Sequence, residues 1–424
     1  MDREPDGLTF TFKIRSGLKF HSGNPLPAED VAWFIQRTAL LDKGAAAVLL
    51  AGIGLSKANA AQNVKKIDDT TVSITTDQRY APTFVLNVLG SWPASVVDRK
   101  LVESHAKGAT SKTNEAGSGA YKLVKWTAND SILLRHVTEA ASQRLTIQNG
   151  DIEVARDLSP DDLDTLSKSG VIKTTAIPQA TLMYLGLNNK NPNLAKPEVW
   201  EAMKWLIDYQ GIQKNVIRTT YKVHEAFLPQ GFLGALNDNP YHQDVAKALL
   251  AKAGLANGFT VKMDVRNDYP YSEIAQAVQA NLALAGIKVQ LVPSDNEQTL
   301  GRYRARAHDI YIGEWSADYI DPHSNAQGFV WNPDNSDASS YKMLAWRSAW
   351  DIPQLTKETN AALAENDTKK RAQMYEKMQR EVLAKSPFVI MFQKVSQMAA
   401  RPGVTGLEVG PINDLVSYRN IRKQ

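Results

Sequence analysis

Hydrophobic and polar positions change period several times along the chain, and each change marks an element. Leu8, Phe10, Phe12 and Ile14 alternate with Thr9, Thr11 and Lys13, which predicts an amphipathic strand. A turn at His21-Ser22-Gly23-Asn24-Pro25 leads to Pro27, which starts a helix carrying Glu29 and Asp30 in its first turn. Residues 71–75 alternate as a short strand, and 95–105 read as a helix. Gly117-Ser118-Gly119 is a tight turn entering a strand that runs to Leu123. A short strand follows at 152–155. Ser159-Pro160-Asp161-Asp162 then carries a capping-box pattern with Pro at the first helical position. Residues 182–188 read as a strand, and Pro197 opens a helix over 199–207.

From there helices and strands alternate. The pattern predicts helices at 244–253, 272–285 and 297–304, the first two stopped by Gly254 and Gly286. Strands are predicted at 259–265, 287–291 and 309–313. This rhythm belongs to an α/β layer with crossover connections. Residues 325–344, rich in Asn, Asp, Ser and Tyr, read as a long surface loop. Helices at 354–364 and 368–384 follow, the second capped by Asp367, and then a buried-type strand at 388–392. Trp33, Trp126, Trp200 and Trp205 read as core.

Ligand sites in such sheets gather past the C-terminal ends of strands. There the chain reads Glu314-Trp315-Ser316-Ala317-Asp318-Tyr319-Ile320-Asp321-Pro322. A carboxylate three residues from an indole suits a cationic ligand, since the aromatic wall excludes water and strengthens the charge attraction. The same residues also fit a turn capped by Asp318 over an inward-packed Trp315. Local pattern leaves both readings open.

At 424 residues the chain needs two or three domains. Its net charge of +4, with no dense Lys/Arg run, argues against a nucleic-acid surface. The Arg302-Tyr303-Arg304-Ala305-Arg306 cluster reads as a solvated helix end. With no cysteine, thiol chemistry, disulfides and Cys-based metal sites are excluded. No apolar run reaches membrane-spanning length. Met1 is followed at once by Asp2-Arg3-Glu4-Pro5, so no signal peptide is read in this sequence.

Catalytic signatures are missing. Ser118 lacks the spacing of a nucleophile elbow, and His224-Glu225 lacks the second His of a zincin. Ser111-Lys112-Thr113 resembles the end of a phosphate loop without its glycines and reads as a polar loop. Asp318, Asp321 and His323 are close in sequence, which leaves a metal-dependent hydrolase as a rival reading. No catalytic residue, metal ligand or cofactor is assigned.

Several stretches together resemble one family, the extracytoplasmic solute-binding proteins of peptide and nickel ABC importers (family 5). Phe12-Lys13-Ile14-Arg15, Gly17, Phe20, Gly23, Pro25 and Ala28-Glu29-Asp30-Val31 follow its N-terminal signature in order. Gly117-Ser118-Gly119-Ala120-Tyr121, Gly150-Asp151-Ile152 and Leu187-Asn188 resemble later steps. Trp315 to Pro322 resembles Trp-x-Ala-Asp-Tyr-x-Asp-Pro, and Lys370-Arg371, Tyr375, Gln379 and Pro387 keep the order of the C-terminal helix and strand.

The resemblance implies an α/β, two-lobed periplasmic binding protein (type II, cluster C-like) with a ligand cleft and a small extra domain. It places that domain at 1–112, one lobe at 113–195 plus 400–424, and the other at 196–399. It implies a periplasmic or membrane-associated extracytoplasmic monomer that traps a small-molecule or peptide ligand by hinge closure and serves an ABC transporter permease. Asp318 would pair with the ligand's ammonium, lined by Trp315 and Ser316. Glu314, Asn188 and Phe392 are further candidates. The Arg that some members place before the Trp is Ile312 or Gly313 here, so Arg266 is the candidate for a ligand carboxylate. A metal chelate, a sugar or an opine would suit the same fold. The family's first strands and a stretch after Arg135 are expected to be missing.

Overall fold

In the computed structural model, the first alternating run pairs as a strand, β2 (Thr9–Lys13), with Phe10 fully buried at its centre. The structure describes residues 1–41, 49–91, 94–104, 118, 140–156, 158–168, 170, 172–241, 246–412, 416–417 and 422–423. The turn and strand at 117–123, the 111–113 loop, Trp126 and the stretch after Arg135 lie outside the described residues. Two compact units form, Met1–Val137 with Leu363–Asn366, and Thr138–Ala362 with Asp367–Gln424.

In the first unit, β1 (Asp2–Arg3), β2, β3 (Val64–Asp68) and β4 (Thr71–Thr75) make an antiparallel sheet in the order β1-β2-β4-β3. Helix α1 (Ala28–Leu41) buries Ala32, Ile35 and Ala39. Trp33 is not core: it stays half-buried beneath the guanidinium groups of Arg37 and Arg99. The helix predicted at 95–105 begins only at Arg99. Asp98 accepts from the Leu101 amide and also from Ser22 and Asn24, so it acts as the cap.

The second unit is built on a seven-stranded mixed sheet in the order β5-β11-β6-β10-β8-β9, with β7 paired to β11. Its strands are β5 (Val154–Arg156), β6 (Lys173–Leu187), β7 (Tyr221–Val223), β8 (Thr260–Arg266), β9 (Lys288–Ser294), β10 (Ile310–Ser316) and β11 (Phe388–Ala400). Strands β9, β8 and β10 run parallel, as the alternating pattern predicted, whereas β6 runs antiparallel to both β10 and β11.

The helices start where side chains supply the caps. Ser159 Oγ accepts from the Asp162 amide and donates to its carboxylate at the head of α2 (Pro160–Lys168). Pro197 opens α3 (Pro197–Leu206). After α4 (Ala246–Lys252), α5 (Tyr271–Ala283) fills the crossover between β8 and β9. Asp295 caps α6 (Asn296–Arg304), Asp321 caps α7 (Pro322–Phe329), and Asp367 caps α9 (Thr368–Ala384), which follows α8 (Pro353–Ala364). A Cβ on Gly258 (φ +73°) would lie 2.0 Å from the Gly286 carbonyl, so the β8–β9 entry requires glycine there.

The 325–344 segment is not one long loop. Its start is helical, because Asp321 accepts from the His323 amide and Pro322 sits at the first helical position. Among the described residues, no helix is long and apolar enough to cross a membrane.

At the start of β10, His308 is buried against Tyr303 (4.8 Å between ring centres), which itself stacks on Tyr311 at 3.8 Å. Neither His308 ring nitrogen has a hydrogen-bond partner among the described residues. Burial depresses its pKa from 6.5 to about 3, with Asp309 opposing and Arg302 and Arg347 assisting. The unfolded chain therefore binds one more proton between pH 6.5 and 3, and stability is lost as pH falls through that window. By pH 4.5 the loss is about 2–3 kcal/mol for this group. His308→Phe should lose distinctly less stability than the unsubstituted protein between pH 7 and 4.5, measured by urea unfolding at each pH.

Candidate functional site

Strands β8 and β10 are parallel, so their C-terminal ends open on the same edge of the sheet. Glu314 and Trp315 lie within the end of β10, since its ladder with β6 continues to Ser316, beyond the predicted end at Gly313. Strand alternation sends the two side chains to opposite faces.

On one face, the half-buried Glu314 carboxylate accepts two phenol hydrogen bonds, from Tyr271 (2.9 Å) at the head of α5 and, closely, from Tyr221 of β7. Two strands, β11 and β6, separate β7 from β10 in the sheet order, so the sheet curls enough to bring Tyr221 across. Burial, then the charge of Glu314, raises the pKa of both tyrosines, which keeps them protonated donors. Arg266, at the end of β8, lies 4.3 Å over the Tyr271 ring and is ion-paired to Asp268. Its guanidinium is thus engaged within the chain.

On the other face, the Trp315 indole lies against α7. Its Cε2 and Cζ2 come within 3.4 Å of where a Cβ on Gly328 would stand, so the helix meets the ring through a residue without a side chain. The Trp315 Nε1–H is buried and has no hydrogen-bond partner among the described residues. Ser316 Oγ meets Thr181 Oγ1 at 2.7 Å across the β10–β6 ladder.

Past Ser316 the chain turns. Ala317 and Tyr319 are buried, whereas Asp318 and Ile320 are exposed. Asp318 is therefore not enclosed within the unit, as its motif suggested. Its backbone is nonetheless held, because the Asp318 amide donates to Ser324 Oγ (2.8 Å) in the first turn of α7. Asp321, at 2% exposure, receives both terminal nitrogens of the equally buried Arg371 at 2.7 and 2.8 Å. Burial opposes the Arg371 charge, but the bonds to Asp321 and Tyr375 raise its pKa.

The rival metal reading does not survive this geometry. Both Asp321 oxygens are taken by Arg371, and His323 is buried while Asp318 is exposed. Burial, only partly opposed by Asp321, brings the His323 pKa to about 4. Among the described residues, no group of three or more His, Cys, Asp or Glu side chains is placed to hold a metal ion.

Two further candidates are buried. Asn188 lies beside the first residues of β10, seven residues and roughly 23 Å along β6 from Thr181, the partner of Ser316. Its buried amide donates to the Arg306 and His308 carbonyls and pins the turn into β10. Phe392 is fully buried core between Met183 and Val223, edge-on to Tyr209. Sequence reading missed Tyr221, Tyr271 and Thr181 as partners of this site. Only the placement of Tyr271 just beyond a strand end hints at its role.

Known proteins share this architecture. The structure of the ABC transporter-associated periplasmic binding protein DppA from Helicobacter pylori, in complex with peptide STSA, superposes with a TM-score of 0.78 at 21% identity, covering 100% of this chain and 88% of that one. The binding protein AgaA of A. tumefaciens, in complex with agropinic acid, gives 0.74 at 22% identity, covering 97% and 85%. The fold is that of the α/β periplasmic solute-binding proteins. The family profile of bacterial extracellular solute-binding proteins, family 5 (middle region), matches residues 2–137 and 128–337, and the chain belongs to that family. It is 27% identical to the probable D,D-dipeptide-binding periplasmic protein DdpA of Escherichia coli over 440 residues, covering 97% of this chain and 81% of that protein. It is 23% identical to the dipeptide-binding protein of the same species, covering 96% and 82%.

The two phenol bonds to Glu314 are charge-assisted, and each is worth about 1.5–3 kcal/mol. Tyr271→Phe and Tyr221→Phe should each lower stability by about that amount. The double variant should lose less than the sum, because a half-buried Glu314 freed of one donor can turn to water. Urea unfolding of the three variants measures this.

Proposed function

We propose that this chain is the extracytoplasmic substrate-binding component of an ABC importer, which captures a peptide or similar amine-bearing solute and delivers it to a membrane permease. Its family membership, and relatives whose names specify dipeptides, support the class of cargo. In this reading the protein is periplasmic, carries its ligand unchanged and acts as a single chain. The lobe boundary expected from the sequence, 113–195 with 400–424 against 196–399, would cut β5 and β6 from β10 and β11, so residues 154–195 go with 196–399 in this reading, with 1–112 as the extra domain and closure on a hinge outside that sheet.

Two observations support this site: an exposed Asp318 on an anchored loop and, three residues before it in the chain, a buried Trp315 Nε1–H without a partner among the described residues. Asp318 supplies the counter-charge for an ammonium. The indole N–H supplies a donor whose burial is costly until an acceptor meets it. A peptide's N-terminal residue presents both complements, an ammonium and a carbonyl oxygen, within a few ångströms. Ser316 and Glu314 border the same strand end. With Arg266 held by Asp268, recognition rests on the amine end of the ligand.

Magnitudes decide what closure must do. An ion pair made by an exposed carboxylate is worth about 0–1 kcal/mol. Losing one partner of a buried pair costs about 3–5 kcal/mol. Asp318 contributes strongly only if ligand binding covers it.

Native mass spectrometry of the untreated protein should show a retained amine-bearing ligand, or binding from a panel of unmodified di- and tripeptides. A sugar, metal chelate or opine in its place would redirect the assignment. For the best-binding peptide, Asp318→Asn should weaken affinity about a hundredfold by calorimetry, equivalent to about 2.7 kcal/mol, and N-acetylation of the peptide should do the same. Unchanged affinity in both experiments would remove Asp318 from the site.

A further inference from the structure

Resting on the reading of Asp318 as the ligand's counter-ion, we infer that Arg371 and Asp321 form a positioning strut that fixes where Asp318 stands. Neither residue is placed to touch the ligand. Both are 2% exposed, and their charged groups face each other.

The strut has three joints. At its base, Arg371 lies in the first turn of α9, where the Asp367 cap fixes the backbone. Its Nε donates to the Ala362 carbonyl at 2.9 Å, and its guanidinium lies 5.3 Å over the Tyr375 ring. At its middle, two parallel nitrogen–oxygen contacts of 2.7 and 2.8 Å join it to Asp321. This fork geometry fixes orientation as well as distance, which a lysine in the same place would not do.

At its head, Asp321 Oδ1 also accepts from the His323 amide and so sets the first turn of α7. That turn presents Ser324 Oγ to the Asp318 amide at 2.8 Å. The Asp321 amide closes back on the Tyr319 carbonyl at 2.9 Å, and Tyr319 is buried. A continuous chain of hydrogen bonds thus runs from Arg371 to the Asp318 backbone. The guanidinium holds Asp321, Asp321 holds the helix start, and the helix start holds Asp318.

A buried ion pair is a weak device for stability, since well-packed neutral replacements are often as stable. Its use here is directional. Asp318 sits on a short solvent-facing turn, and a turn held only by its flanks would let the carboxylate wander from the Trp315 N–H by more than binding tolerates.

The test separates positioning from folding. The paired replacement Asp321→Asn with Arg371→Met keeps an oxygen for the His323 amide and fills the guanidinium space. It should fold with near-normal stability, yet bind the best peptide of the panel at least tenfold more weakly. Adding Asp318→Asn to this background should then weaken binding at least tenfold less than Asp318→Asn does alone. Arg371→Lys with Asp321 intact should recover only part of the affinity. Full affinity in the paired variant, or losses that simply multiply, would overturn the strut while leaving Asp318 as counter-ion. If Asp318→Asn has no effect in the unsubstituted protein, the reading and the strut fall together. A paired variant that unfolds while Arg371→Lys binds normally also overturns it, because the pair would then serve the fold alone.

Discussion

The second unit depends on one strand. In β6, every residue from Gln179 to Leu187 is buried, and this stretch is laddered to β10 on one side and β11 on the other. A strand covered on both faces and both edges has no freedom of register, because a slip of one residue would drive its whole inward set to the wrong face. Strand β10 inherits that register. The positions of Glu314, Trp315 and Ser316 follow from their pairing with Met183, Leu182 and Thr181. The candidate site is thus hung from the most constrained strand of the unit, with only Asp318 beyond its reach.

Much of the fold was legible because its signals are local. Ser159, Asp295 and Asp367 cap helices within three residues of themselves, so a window of four residues carries the information. The parallel strands β8, β9 and β10 announce themselves by alternation with helices between them. The outer halves of β6 and β11 were not legible. Residues 173–178 are mostly exposed and carried no expected element, yet they pair with 395–400 over six ladder positions. Backbone hydrogen bonds, which leave no periodic apolar trace, pair the halves, and Ala399 of β11 adds a small apolar contact to the cluster around Ala155 and Leu166. The 325–344 segment was misread for the opposite reason. Its polar composition suggested a loop, but Asn325 and Asn332 are buried donors, bonded to the Phe227 and Trp350 carbonyls.

The site divides in the same way. The Trp315–Asp318 segment stands out because the residues that carry it are neighbours in sequence. Their supports are not. Tyr271 reaches Glu314 over 43 residues, Arg371 reaches Asp321 over 50, Tyr221 reaches Glu314 over 93 and Thr181 reaches Ser316 over 135. No composition or spacing rule in a single sequence links such pairs. Asn188 was picked as the end of a strand whose direction the sequence did not reveal, whereas Phe392 is level with Glu314, both pairing with Met183, but is fully buried. Strand β6 runs antiparallel to β10, so its C-terminus lies at the opposite edge.

An exposed carboxylate is a poor source of affinity on its own, since water screens it and a surface pair gains about 1 kcal/mol at most. That weakness has a use in a carrier that must release what it binds. If the strong part of the interaction appears only when the ligand and a closing lobe exclude water, affinity becomes a property of the closed state, and opening discards it. Such a scheme tolerates little looseness in the carboxylate itself. Ordering a flexible residue costs about 1–2 kcal/mol, and a mobile turn at 317–321 would lose much of the gain each time it closed. The turn between β10 and α7 avoids that cost by being fixed beforehand, through the Asp318 amide to Ser324 and through Asp321 to Arg371. On the proposed role of Asp318, rigid backbone beneath an exposed charge is the combination that would let closure, and not the charge alone, decide whether the ligand is held.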